Sequence, residues 1–497
     1  MPRFIGVGLS ILTLVGVLLF LAIRGKETPV TAPDALPYSV AVMPLSDWTG
    51  QSDDYFSEAM TDVLIAALSE HPELRVTSLS SVMSYKDTDL QPSQIAEQLG
   101  VASIVEGTVF REEGRVRITA NLIEAKENRN VWSNTFNRSM TGVLALQEEV
   151  ASEIARELVG EILPKPVPSE REINPQAYEA FLKGAYWRNR LTAEGFNRGL
   201  LFFQQAIELQ PDYAEAYAAM AACHCRLAGH GIEVVRPDIA LPQATLLASK
   251  ALALNDSLAE PNAALGIIKF KYEWDANASI VYLERALQQN PSLFEAHLWF
   301  SQVAEGMERQ ELAVEHARLA HSVNPLSLAA NLNLGWQLFQ AGEIADAENQ
   351  FDKLLEFDPE FWGGHWGKGH IELDRRLYQG AIGEFSRAVE LEGGHTLPLA
   401  SLGYTYAVSG MPDEAFGVIE ELQEMSRDVY VSPVHVAMIY AGLDDTNAAF
   451  EWLDKAFAVR ARSMAWLTVR REFSGLHGDP RYDALVASIG IVRRPID

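Results

Sequence analysis

Residues 290–359 read NPSLFEAHLWFSQVAEGMERQELAVEHARLAHSVNPLSLAANLNLGWQLFQAGEIADAENQFDKLLEFDP. Pro291, Pro325 and Pro359 stand 34 residues apart, each after Asn or Asp at the end of an Ala-rich amphipathic stretch, and the next step of 34 lands on Gly393. A unit of this length is a helix-turn-helix that cannot bury its apolar face alone and must stack on copies of itself. The fold class is therefore mainly α, with an α-solenoid over the C-terminal two-thirds. Function is to be sought in its surfaces rather than in a catalytic pocket.

Within the unit, Leu334-Gly335, Ala347 and Phe351 are followed one period on by Gly369, Ala381, Phe385 and Ala388, then by Gly403, Tyr406, Ala415 and Leu422. Upstream, Leu265-Gly266 and Ala286 precede Pro291, and Gly184, Phe203 and Ala206 precede Pro211. Small residues are needed where two helices cross too closely for a large side chain. Period and positions together resemble the tetratricopeptide repeat. The resemblance implies about eight units over residues 174–465, with one insertion. Pro211 and its counterpart Asp256 are 45 residues apart, and the surplus falls in residues 230–242, expected as a projecting loop. Residues 466–497 are expected to form a capping helix and tail, the helix starting at Asp479-Pro480.

Stacked repeats curve and line a concave face with the first helix of each pair. Helix phases place Gln302 and Glu305, then Leu332, Trp336 and Gln340, then Trp366 and His370, then Tyr404 on that face. Aromatics along a groove suit anchoring of an extended peptide or a partner helix. Packing of Trp336 and Trp366 between neighbouring repeats is the competing reading.

At 497 residues the chain exceeds one ordinary core and suggests two or three domains. A formal charge of −27, with no Lys/Arg-rich run, opposes a polyphosphate partner, so no nucleic-acid binding is expected. Cys223 and Cys225 lie two apart in a helical stretch, point in different directions and read as small core thiols.

Residues 4–23 form an uncharged apolar run between Arg3 and Arg24, long enough as a helix to span a bilayer. A cleaved signal would have a shorter apolar region ending in small residues, so an uncleaved membrane anchor over residues 1–26 is favoured. Gly6 and Ser10 make a small-xxx-small pair, compatible with a homodimer. Residues 27–37, with two prolines, read as a linker.

Residues 38–165 read as a small α/β domain. Strands are expected over 38–45, 74–79, 102–110, 115–123 and 130–136, with helices over 54–70, 92–99 and 144–163. Pro44, Asp53-Asp54-Tyr55-Phe56, Gly100, Glu106-Gly107 and Val131-Trp132 fall in an order that resembles the TolB-N-terminal-like domain preceding tetratricopeptide repeats in bacterial signalling proteins. In that family the domain often sits behind a membrane span whose cytoplasmic side carries a winged-helix DNA-binding domain, an adenylate cyclase or a kinase. Only residues 1–3 precede the apolar run here, so the resemblance implies the sensor or scaffold half, outside the inner membrane.

GGHWGKGH at residues 363–370 is one residue short of a phosphate loop, lacks its Ser/Thr and lies inside a repeat helix. No catalytic residues, no metal ligands and no cofactor are assigned. His365 and His370, five apart on a helix, are expected to make separate polar contacts. Asp53 and Asp54 are expected to cap the helix they precede. The expected function is a non-catalytic inner-membrane scaffold, its bulk periplasmic, binding a protein or peptide partner through the repeat groove. The alternative is a signalling subunit acting with a separately encoded cyclase, kinase or winged-helix regulator. An enzyme with a ligand cleft in the α/β domain is a third, lesser reading.

Overall fold

The computed structural model describes residues 38–47, 54–112, 114–160, 172–228, 235–392 and 396–490. The expected anchor, the linker, Asp53 and residues 230–234 of the expected insertion lie outside them. Among the described residues no helix is long and apolar enough to cross a membrane.

The N-terminal domain is built on one mixed sheet. Strand β1 (Ser39–Val42) is buried at every position, as befits a strand flanked by parallel neighbours. These are β3 (Arg75–Val76) and β4 (Ser103–Glu112), and the short β2 (Ser46–Asp47) also pairs with β4. From β4 the sheet continues antiparallel through β5 (Arg115–Glu124) to β6 (Arg129–Ser139), with Gly114 taking the positive φ of the β4–β5 turn. Helices α1 (Asp54–Ser69), α2 (Leu79–Met83), α3 (Pro92–Leu99) and α4 (Val143–Val159) complete the domain. Residues 74–79 were expected as a strand. Only Arg75 and Val76 pair, and Ser78 then takes the extended N-cap conformation before α2.

Among the described residues, eight antiparallel helix pairs follow. They are α5 (Pro175–Arg188) with α6 (Ala193–Leu209), α7 (Ala214–Leu227) with α8 (Pro237–Leu254), α9 (Ala259–Lys271) with α10 (Ala276–Gln289), and α11 (Phe294–Gly306) with α12 (Gln310–Val323). Next come α13 (Leu328–Gln340) with α14 (Ile344–Phe357), α15 (Trp362–Asp374) with α16 (Tyr378–Glu392), α17 (Thr396–Val408) with α18 (Pro412–Met425), and α19 (Pro433–Gly442) with α20 (Thr446–Ala458). Close crossing explains the small residues. A Cβ at Gly335 would stand 2.5 Å from Cε1 of Phe351, and one at Gly369 would stand 2.6 Å from Cε1 of Phe385. The expected loop over residues 230–242 differs in its second half: Pro237 starts α8 and Pro242 lies inside it.

Two contacts turn the open array into a closed body. The α/β domain sits on the first pair, where Tyr178 Oη approaches Gln147 and Arg188 pairs with Asp62 at 3.4 Å. It also reaches the turns that close the third and fourth pairs. Ser292 Oγ donates to Leu74 O at 3.1 Å, and Asn324 Oδ1 accepts from Ser80 and Ser81 at 3.1 and 2.6 Å.

At the other end, α20 returns to the third pair. The rings of Phe457 and Trp274 lie 5.2 Å apart, and Arg460 Nη1 donates to Tyr272 O at 3.0 Å. Two 3-10 turns (Arg462–Trp466 and Arg471–Leu476) then cross the concave face before the last helix, α21 (Pro480–Ile489). One apolar core accordingly joins residues of α7 to α12 with residues of α19 to α21.

Candidate ligand cavity

The helix pairs and the crossing segment line a half-open cavity of about 610 Å³. Its wall begins at α11, where Glu305 is buried. Its Oε1 accepts from Trp336 Nε1 at 2.7 Å and from Gln340 Nε2 at 3.4 Å, and its Oε2 accepts from Gln337 Nε2 at 3.1 Å. Burial raises the Glu305 carboxyl against those three donors. One turn earlier, Gln302 gives its carbonyl to Trp466 Nε1 at 3.0 Å, while its own Oε1 is buried without a hydrogen-bond partner.

Aromatic rings stack along the same wall. Trp336 and Trp366 lie 4.6 Å apart across neighbouring pairs, and His370 meets Trp366 edge-on at 4.5 Å. Trp366 Nε1 donates to Ser401 Oγ at 3.1 Å. Trp336 and Trp366 thus pack against each other across neighbouring repeats, and both also line the cavity. Leu332 and Tyr404 line it too. Burial, with Glu472 next in weight, pushes the Tyr404 phenol up to about 12. All eight residues singled out in the sequence therefore fall on one cavity. His365, as expected, turns elsewhere, its Nδ1 2.8 Å from Glu384.

His370 is only 8% exposed, and its Nε2 has no hydrogen-bond partner. Burial first, then Arg470 and Arg471, push its imidazole down to about 3, so it is neutral at physiological pH.

Periodicity did not reveal the cations. Lys271 at the end of α9 and Arg462, Arg470 and Arg471 on the crossing segment all line the cavity. Arg471 pairs with Asp374 and lies 4.7 Å above the Phe339 ring. Burial, with Arg226 second, brings Lys271 down to about 7; burial, with Arg470 second, brings Arg462 down to about 9. The expectation that no basic run occurs needs correction here. Between Asp454 and Glu472 the sequence has no acid and carries Lys455, Arg460, Arg462, Arg470 and Arg471. That asymmetry was the available signal.

GGHWGKGH lies within α15, with its glycines against Phe361, Leu355, Phe351 and Phe385, so it packs repeats together. Cys223 and Cys225 are free and buried, and burial pushes each thiol up to about 12. Among the described residues no group of three His, Cys, Asp or Glu side chains could hold a metal ion.

No family model matches the chain. The curated protein "Putative adenylate cyclase 3" of Rhizobium meliloti is 26% identical over 211 residues, 40% of this chain and 35% of that protein. The transcriptional regulator HilA of Salmonella typhimurium is 18% identical over 341 residues, 66% of this chain and 52% of that protein. The chain thus spans about a third to a half of the length of these relatives. Among solved structures, Pseudomonas aeruginosa PilF is similar at a TM-score of 0.34 and 17% identity, covering 46% of this chain and 96% of PilF. YrrB, a TPR protein, is similar at 0.29 and 21%, covering 40% of this chain and 95% of YrrB. The repeat architecture rests on the chain's own eight helix pairs.

Proposed function

We propose that this chain is a non-catalytic interaction protein of the bacterial envelope, held in the inner membrane by residues 4–23 with its bulk in the periplasm. Its α/β domain is of the TolB-N-terminal-like kind, and its solenoid docks a partner protein. The observation that carries this reading is a recurrence. Leu201, Leu246 and Val281 stand ten residues before Pro211, Asp256 and Pro291, at the same place in the second helix of three consecutive pairs. They are 72%, 66% and 63% exposed. Isolated exposed aliphatics are ordinary, but recurrence at one register makes a stripe, and stripes of this kind mark interaction sites.

A photo-crosslinking residue at Leu246 tests the reading in the native bacterium. A defined protein captured from Leu246 is expected; no capture there overturns the scaffold. Alkaline phosphatase fused after Pro168 should be active, and a fusion fluorescent only as cytoplasmic GFP overturns the topology.

A second reading is a sensor subunit that passes a signal to a separately encoded effector. The ligand-sized cavity favours it, and the names of the two curated relatives, a cyclase and a transcriptional regulator, are consistent with it. Co-purification of a cyclase, kinase or winged-helix protein with the full chain would support this reading, and its absence from every neighbouring gene product would remove it.

A further inference from the structure

We propose that the cavity inside the solenoid binds a small organic anion with a flat apolar body. This site is independent of the partner surface proposed above. Charge is the first argument. The chain carries −27 overall, yet the cavity lining holds Arg226, Lys271, Arg376, Arg462, Arg470 and Arg471 against Glu305, Asp374 and Glu472. A cationic concavity in an acidic protein concentrates anions at that point.

The second argument is unfinished polar chemistry. Lys271 is 9% exposed, and among the described residues neither a hydrogen bond nor an ion pair joins its ammonium, which stands 5.5 Å from the Trp466 ring. His370 Nε2 and Arg470 Nε are buried without partners around the same space, while the unpartnered Gln302 Oε1 is an acceptor that only a donor group of the ligand would satisfy. Buried polar groups are ordinarily satisfied, and an unpaired buried cation is strongly disfavoured, so a bound anion is the missing counterpart. Glu305 does not stand against it, because three donors occupy its oxygens.

Shape supplies the third argument. Trp336, Trp366 and His370 form an aromatic cluster in the cavity wall, and a flat apolar body packs well against such a wall. The volume of about 610 Å³ falls in the range of small-molecule sites. The segment of residues 462–476 crosses the concave face, which favours a compact ligand over an extended peptide.

Calorimetry and thermal melting of the purified full-length chain test the proposal with three probes: 2-naphthoate, 2-naphthyl phosphate and neutral 2-naphthamide. At least one anion should bind one-to-one and the amide about tenfold or more weaker, which distinguishes a carboxylate from a phosphate site as well. Lys271→Met should weaken the anion by about tenfold, leave the amide unchanged and, by removing an unpaired buried cation, raise the melting temperature of the free chain. Lys271→Arg should restore anion binding. Affinity should fall from about pH 6 to pH 9 as the Lys271 proton is lost. Binding of no anion, equal binding of anion and amide, or full affinity in Lys271→Met overturns the proposal. Crosslinking from Leu246 is read separately, so failure here leaves the scaffold reading intact.

Discussion

Gly335 and Gly383 occupy helices of adjacent pairs and meet opposite surroundings. A Cβ at Gly335 would collide with the Phe351 ring, whereas one at Gly383 meets nothing within 4 Å. Gly335→Ala should therefore cost about 1–3 kcal/mol through overpacking, and Gly383→Ala should gain about 0.5–1 kcal/mol through helix propensity. Urea denaturation midpoints moving in opposite directions would check both. The small-residue positions were legible in the sequence because helix crossing imposes them at fixed spacing.

A second residue-scale feature was not legible, since it needs two helices to meet. His297 and His316 face each other with Nδ1 atoms 3.0 Å apart, and His297 Nε2 lies 2.8 Å from Pro291 O. If His297 Nε2 donates to that carbonyl, its bare Nδ1 accepts from His316 Nδ1–H, and the pair is neutral. Burial lowers His297, and burial with His297 second brings His316 to about 4. A lowered folded-state value means the unfolded chain binds protons first, so stability falls as pH drops below about 6.5 and levels off near the folded value of about 4. His316→Phe should flatten that part of a melting-temperature profile against pH. An unchanged slope would show that the pair does not govern it.

Among elements, the crossing segment departs most from what periodicity alone predicts. Residues 466–497 were expected only as cap and tail, yet Trp466 lies edge-on to Phe270 at 5.1 Å and donates to Gln302 O. Its contacts are more than a hundred and fifty residues away in sequence, and no local pattern encodes them. Trp466→Ala should cost about 3–5 kcal/mol, measured as loss of chemical stability, and should speed amide exchange in α9 and α11 together. The seat of the α/β domain gives a milder prediction. Asn324→Ala leaves Ser80 and Ser81 without their shared acceptor and should cost about 1–3 kcal/mol, with faster exchange in residues 78–83. Within the α/β domain, strands and helices of strong period fell close to their expected bounds. The short β3 did not, because two residues carry too little alternation to distinguish a strand from the approach to a helix.

For the whole molecule, the consequence of closure concerns cooperativity. An open solenoid is stabilised by neighbours only and unfolds piecewise. Here α20 touches the third pair and the crossing segment touches α9 and α11, so the second, third and fourth pairs share one core with the eighth. These pairs should lose exchange protection in one concerted step, and truncation after Ala458 should convert it to several. Curvature was implied by the repeat period; closure was not, since the period sets each step but leaves the total rotation to side chains such as Phe457 and Trp274.

The same closure has a temporal side. Roughly 200 residues separate Lys271 from Leu476. At translation rates of about 5–20 residues per second, the inner wall of the third pair waits about 10–40 s on the ribosome before the segment that covers it has been made. During that interval the nascent chain presents Phe270 and its neighbours to the surroundings, and the protein is completed from its tail inward.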